Sequence, residues 1–78
     1  MNTPQAPDTT DAHRLASTLR RSAQAHERAI LVEIWAAEHF QRRGDMEAAH
    51  RHRDASHREA ALAEDCYRRL GELSATRG

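Results

Sequence analysis

The segment from Ala29 to Ala37, with the sequence AILVEIWAA, is apolar on nearly every side of the helix that it is expected to form. In a two-helix hairpin each helix buries one face against the other, so a helix that is apolar all round has a second face to cover. An uncovered apolar patch on so small a protein usually marks an interface. The segment therefore predicts contact with another protein chain. We favour a second copy of this chain; the alternatives are a different protein or simple exposure of the segment at the surface.

Stop and start signals divide the 78 residues into two helices. Gly44 suits the left-handed position that follows a helix, and Asp45 suits the N-cap of the next one. Gly71 repeats the stop signal near the end of the chain. The predicted organisation is a flexible N-terminal arm at 1–8, helix one at about 9–43, a turn at 44–45, helix two at about 46–70 within a hairpin that spans 9–73, and a frayed tail at 74–78.

So short a turn makes the two helices antiparallel neighbours. Each helix carries an apolar stripe for the other: Leu15, Leu19, Ala23, Ile30, Ala37 and Phe40 on helix one; Ala48, Ala55, Leu62, Ala63, Cys66, Tyr67, Leu70 and Leu73 on helix two. Three large side chains of helix one, Leu31, Val32 and Trp35, point well over 90° away from its stripe, at roughly 100° per residue. We expect an all-α antiparallel hairpin that dimerises into a four-helix bundle, with these interface residues: Leu31, Val32, Ile34 and Trp35.

Polar residues interrupt both stripes at a spacing of seven. His26 and Glu33 lie on one face of helix one, and His52 and Glu59 lie on one face of helix two. Folding about the turn should place Glu33 near His52 and His26 near Glu59. One interpretation is a buried hydrogen-bonded network that holds the register of the hairpin or of a dimer. The alternatives are a site for iron, manganese or zinc in the core of a four-helix bundle, or side chains that reach solvent.

A second polar cluster, made of His50, Asp54 and His57, is expected on the solvated face of helix two. Neighbouring arginines would repel a cation there, so we interpret the cluster as surface. Catalysis is not indicated, because the chain has no lysine base and no glycine-rich phosphate loop, and Cys66 faces the expected core. We predict a non-enzymatic protein with no cofactor.

Composition limits the partners, the source and the cellular compartment that are expected for this chain. Formal charge is zero, from twelve acidic residues and twelve basic ones that are all arginine, so the net basic patch of a nucleic-acid binder is missing. Arginine without lysine, together with abundant alanine, is typical of a GC-rich bacterial genome such as that of an actinobacterium. The chain has no signal-peptide pattern, and its apolar runs fall short of the roughly 20 residues that span a bilayer. With a single cysteine, we expect a cytoplasmic protein without membrane contact.

Around the turn, small Ala37, aromatic Phe40, the turn residues 44–45, then small Ala49 and Ser56 fall at the spacing of a tetratricopeptide repeat. Over residues 33–61 the chain thus resembles one tetratricopeptide-like helical hairpin, and the resemblance implies a protein-binding scaffold. A close-packed hairpin of any origin would carry the same small residues. Both interpretations lead to the same functional prediction, a small protein–protein interaction module that acts as an adaptor, a regulator or an assembly component.

Overall fold

The computed structural model describes residues 9–75, which form two helices and no strand. Helix α1 spans Thr9–Arg42 and helix α2 spans Met46–Ala75. The two pack side by side as an antiparallel hairpin, which confirms the predicted all-α fold. The expected N-terminal arm, 1–8, and the end of the expected frayed tail, 76–78, lie outside the described residues.

The turn forms as its sequence predicts. Gly44 adopts a φ of +78°, a left-handed conformation that glycine tolerates without steric cost. The amides of Gly44 and Asp45 donate to the carbonyls of Gln41 and Phe40, at 3.0 and 2.9 Å, which closes the end of α1 as a Schellman motif. The Asp45 carboxylate then accepts a hydrogen bond from the Ala48 amide at 3.0 Å and caps α2. The turn therefore fixes the antiparallel arrangement locally.

Helix α2 continues beyond its predicted end, since Gly71 does not stop it and the helix runs to Ala75. A glycine inside a helix costs only about 1 kcal/mol, and it ends a helix when it takes the left-handed conformation, which Gly71 does not. Packing against α1 accounts for the extra turn. Because α1 begins at Thr9, it offers α2 a partner surface up to the end of the described chain.

The core between the helices is built from small side chains. Among the described residues the buried apolar set consists of Ala16, Leu19, Ala23, Ala37, Ala48, Ala49 and Ala63, together with buried Ser56. No large side chain in that part of the chain is fully buried. The helices therefore lie close together while burying little apolar area.

Three of the larger residues assigned to the stripes are instead about half exposed, namely Leu15, Leu62 and Tyr67. Their smaller neighbours take the inward positions: Ala16 is buried beside Leu15, and Ala63 is buried beside Leu62. Buried and half-buried residues recur at alternating spacings of three and four, as in a coiled coil. Where two helices approach this closely, a large side chain is displaced to the edge of the contact.

Candidate interaction surface

The apolar segment of α1 faces solvent on the side away from α2. Trp35 is 70% exposed, Leu31 68%, Val32 61% and Ile34 43%, whereas Ala37 in the same segment is buried. Ile30 is half-buried and lies on the side of α1 that faces α2. The structure thus separates the segment into an inner part on the side of α2 and an outer part whose large side chains are exposed.

A shallow depression beside Trp35 connects this surface to the hairpin. It is lined by Val32, Trp35, Ala36, His39 and Phe40. The Phe40 ring contacts the His39 ring edge-on, and it stacks on His52 of α2 with 5.3 Å between ring centroids and 4° between ring planes. One wall of the depression is therefore held in place by α2.

The four polar residues of the stripes form two pairs between the helices, as the sequence predicts. His26 Nδ1 lies 2.5 Å from Glu59 Oε2, and His52 Nδ1 lies 2.6 Å from Glu33 Oε2. In both pairs the residue numbers add to 85, so one register aligns the whole hairpin. Each ring N–H donates to a carboxylate, and each side chain is about one-third exposed. The pairs are half-buried hydrogen bonds that link α1 to α2.

These pairs supply at most two metal ligands each. The two pairs are seven residues apart along each helix, a separation of roughly 10.5 Å, which is too long for one ion to contact both. Within residues 9–75 no group of three or more histidine, cysteine, aspartate or glutamate side chains is arranged to hold a metal ion. A metal site built from His26, Glu33, His52 and Glu59 would need further ligands from another chain.

The remaining chemically active side chains are dispersed. His50, Asp54 and His57 are all exposed on α2, as expected for a solvated face. Cys66 is partly buried at the contact with α1 and has no disulfide partner. No arrangement of a nucleophile, a base and an orienting group is evident among the described residues.

Two further links between the helices were not anticipated from the sequence. The Tyr67 hydroxyl donates to Glu27 Oε1 at 2.7 Å, and the Arg53 guanidinium donates to the side-chain oxygen of Gln41. The hydrogen bond to Glu27 raises the pKa of the Tyr67 phenol above its usual 10.0, with smaller contributions from desolvation and from the Glu27 charge. In both links the residue numbers add to 94 rather than 85, so these hydrogen bonds run diagonally across the hairpin register. The register alone does not place these residues opposite each other, and they were therefore not found from the sequence.

Comparison with known proteins gave no assignment: the chain matched no protein-family model, no curated protein and no solved structure. Neither described helix combines the length and the apolar character needed to cross a membrane. The surfaces of the hairpin itself are therefore the guide to its function.

Proposed function

We propose that this chain is a small, non-enzymatic protein–protein interaction module that acts as a helical homodimer, with Leu31, Val32, Ile34 and Trp35 at its interface. The observation that carries the proposal is the exposure of these side chains on one side of one helix. An apolar patch of this kind on a small protein is typical of an interaction site. Adaptor, regulator or assembly component are the roles that suit such a module.

The small core of the hairpin supports the proposal on energetic grounds. Burying a large apolar side chain contributes about 1.5–3 kcal/mol, whereas alanine contributes far less. Leu19 is the one large apolar side chain among the buried residues of the described chain. Domains of fewer than about 80 residues often depend on oligomerisation for that reason. A second copy that covers the exposed patch would supply the missing burial.

A second copy suits the patch better than an unrelated partner does. The chain has a formal charge of zero, so two copies do not repel each other through net charge. If the hairpin needs its apolar patch covered in order to be stable, a second copy of the same chain is the partner that is always available. A different protein bound at the same residues is the alternative that the experiment must distinguish.

The test compares one substitution on two faces. Leu31→Ala removes a side chain from the patch, while Leu62→Ala removes the same atoms from a position on α2 that is 48% exposed. We expect light scattering after gel filtration to give a dimer for the wild type and for Leu62→Ala, and a mass shifted toward monomer for Leu31→Ala. A folded wild-type monomer at all concentrations would contradict self-association and favour a different partner.

A further inference from the structure

Helix α1 presents a line of exposed residues at coiled-coil spacing on the side away from α2. The outer seam consists of positions spaced by four, three, four, three and four residues: Gln24, Arg28, Leu31, Trp35, Glu38 and Arg42. All six residues are exposed. Such a spacing keeps side chains on one line along a supercoiled helix, and apolar residues at that spacing pair one helix with another. Here the two central residues, Leu31 and Trp35, are apolar, and the four outer ones are polar or charged. A helix that packs on this line would therefore contact an apolar centre flanked by charges.

The outer seam is complementary to the outer seam of a second copy that runs in the opposite direction. When two copies of α1 lie antiparallel about a two-fold axis that crosses the outer seam level with residue 33, Leu31 of one copy faces Trp35 of the other, because the numbers of facing residues add to 66. The same register places Arg28 opposite Glu38 and Gln24 opposite Arg42. Both copies then contribute the same pairs, as a two-fold interface requires.

A parallel arrangement lacks this complementarity. In-register parallel helices would place Arg28 on Arg28 and Glu38 on Glu38, and like charges at facing positions oppose association. The antiparallel arrangement adds no like-charge pair at its flanking positions either, since Ala25 lies near His39 and Glu27 lies near Gln41. Val32 and Ile34 flank the seam on opposite sides and can extend the apolar contact around its centre.

We propose that two copies of this chain associate through an antiparallel coiled coil of their α1 helices, centred on Leu31 and Trp35, with orientation set by Arg28 and Glu38. This inference rests on the proposed homodimer and adds to it the contacting helix, its direction and the residues that specify it. The occupant of the outer seam is thus a second α1, and α2 lies on the outside of the resulting four-helix assembly.

Charge reversal tests the direction of pairing. In Arg28→Glu, both facing pairs of the antiparallel dimer become acidic, and in Glu38→Arg both become basic. We expect each variant alone to self-associate at least about tenfold more weakly than the wild type in sedimentation equilibrium, because like charges then face each other twice. An equimolar mixture of the two variants should recover wild-type association as a heterodimer, and the double variant Arg28→Glu/Glu38→Arg should recover it as a homodimer.

The controls reverse charges on exposed positions of α2. Arg58→Glu and Glu64→Arg change the net charge by the same amounts and should leave the dissociation constant within about twofold of the wild type, as exposed charges away from a contact do. If the two α1 variants also associate like the wild type, the antiparallel seam is wrong, while loss of the dimer in Leu31→Ala would still support the proposed function. A mixture that associates more tightly than the wild type would indicate parallel pairing. A monomeric wild type would overturn the seam together with the homodimer.

Discussion

The two faces of α1 differ in the size of their side chains. The face toward α2 has alanine at its most buried positions, Ala23 and Ala37, and half-buried polar side chains at His26 and Glu33. The opposite face has two large apolar side chains that are strongly exposed, Leu31 and Trp35. In most small domains the larger apolar side chains are inside. In this hairpin Leu31 and Trp35 lie outside, a distribution that supports the proposed homodimer.

The two faces also contribute differently to the fold of each chain and to its association with a partner. Between α1 and α2, small residues permit a close approach, and the two His–Glu hydrogen bonds fix the register with little apolar burial. On the outer face, large side chains can supply affinity for a partner but cannot hold the hairpin together. We therefore expect substitutions on the outer face to act through association and substitutions on the inner face to act through the fold of each chain.

The largest expected effect is that of Trp35→Ala. If the ring is fully buried between two copies, its loss should lower the free energy of unfolding by about 3–5 kcal/mol and shift the population toward monomer. Chemical denaturation at two protein concentrations provides the measurement, because the unfolding midpoint of a dimer depends on concentration and that of a monomer does not.

An opposite result would be equally clear. In an isolated hairpin the Trp35 side chain remains 70% exposed, so its removal should change stability by no more than about 0.5 kcal/mol. Unchanged stability, mass and concentration dependence in Trp35→Ala would mean that the outer face is ordinary surface. The contrast between the two faces would then carry no functional meaning.

A larger side chain at a buried position tests the packing of the inner face. Ala49 is 0% exposed, and the hairpin register, in which facing residue numbers add to 85, places the adjacent Ala48 opposite buried Ala37. We expect Ala49→Leu to destabilise the chain by about 1–3 kcal/mol, because a close-packed contact accommodates extra atoms only by strain or by separation of the helices. Thermal or chemical unfolding measures the effect, and Ala60→Leu at an exposed position of α2 is the matched control. Equal stabilities for the two variants would show that the helices are not closely packed there.

The sequence predicts the elements better than it predicts the core. Gly44 and Asp45 carry local signals, so the turn could be placed from propensity and capping alone. The assignment of Leu15, Leu62 and Tyr67 to the core was wrong because hydrophobicity does not indicate how closely two helices approach. The predicted end of α2 at Gly71 was wrong for a related reason. The continuation of α2 depends on the surface that α1 provides, and no local sequence signal indicates that surface.

Some features of the candidate site could likewise be predicted from the sequence, and others could not. Exposure of Leu31, Val32 and Trp35 follows from their angular separation from the inner stripe, which the sequence contains. The pairing of Glu33 with His52 follows from the position of the turn and the length of the helices. By contrast, the stacking of Phe40 on His52 depends on side-chain conformation, and the periodicity of the sequence does not determine it.

The smallest expected effect concerns the hydrogen bond between His26 and Glu59. A double-mutant cycle with His26→Ala and Glu59→Ala should give a coupling free energy of about 1 kcal/mol, below the range of about 1.5–3 kcal/mol for hydrogen bonds to charged groups, because both side chains are 29% exposed. The exposed pair of Glu47 and Arg51, with its atoms 3.4 Å apart, is the matched comparison and should give no more than about 0.5 kcal/mol. Equal coupling in both pairs would mean that half-burial adds nothing and that the register is set by the small residues alone.

The same pairs decide between a hydrogen-bonded network and the metal-binding alternative. If the network interpretation holds, elemental analysis of the untagged dimer should find no stoichiometric metal, and Glu33→Ala should change only stability. Iron, manganese or zinc at about one ion per chain, lost in Glu33→Ala, would instead require that a second copy brings its own His–Glu pair to the first, since one hairpin supplies only two ligands at each position. Such a site would need the polar inner faces of two copies to meet. The outer seam of α1 keeps those faces apart, so bound metal would contradict the proposed antiparallel contact as well as the network.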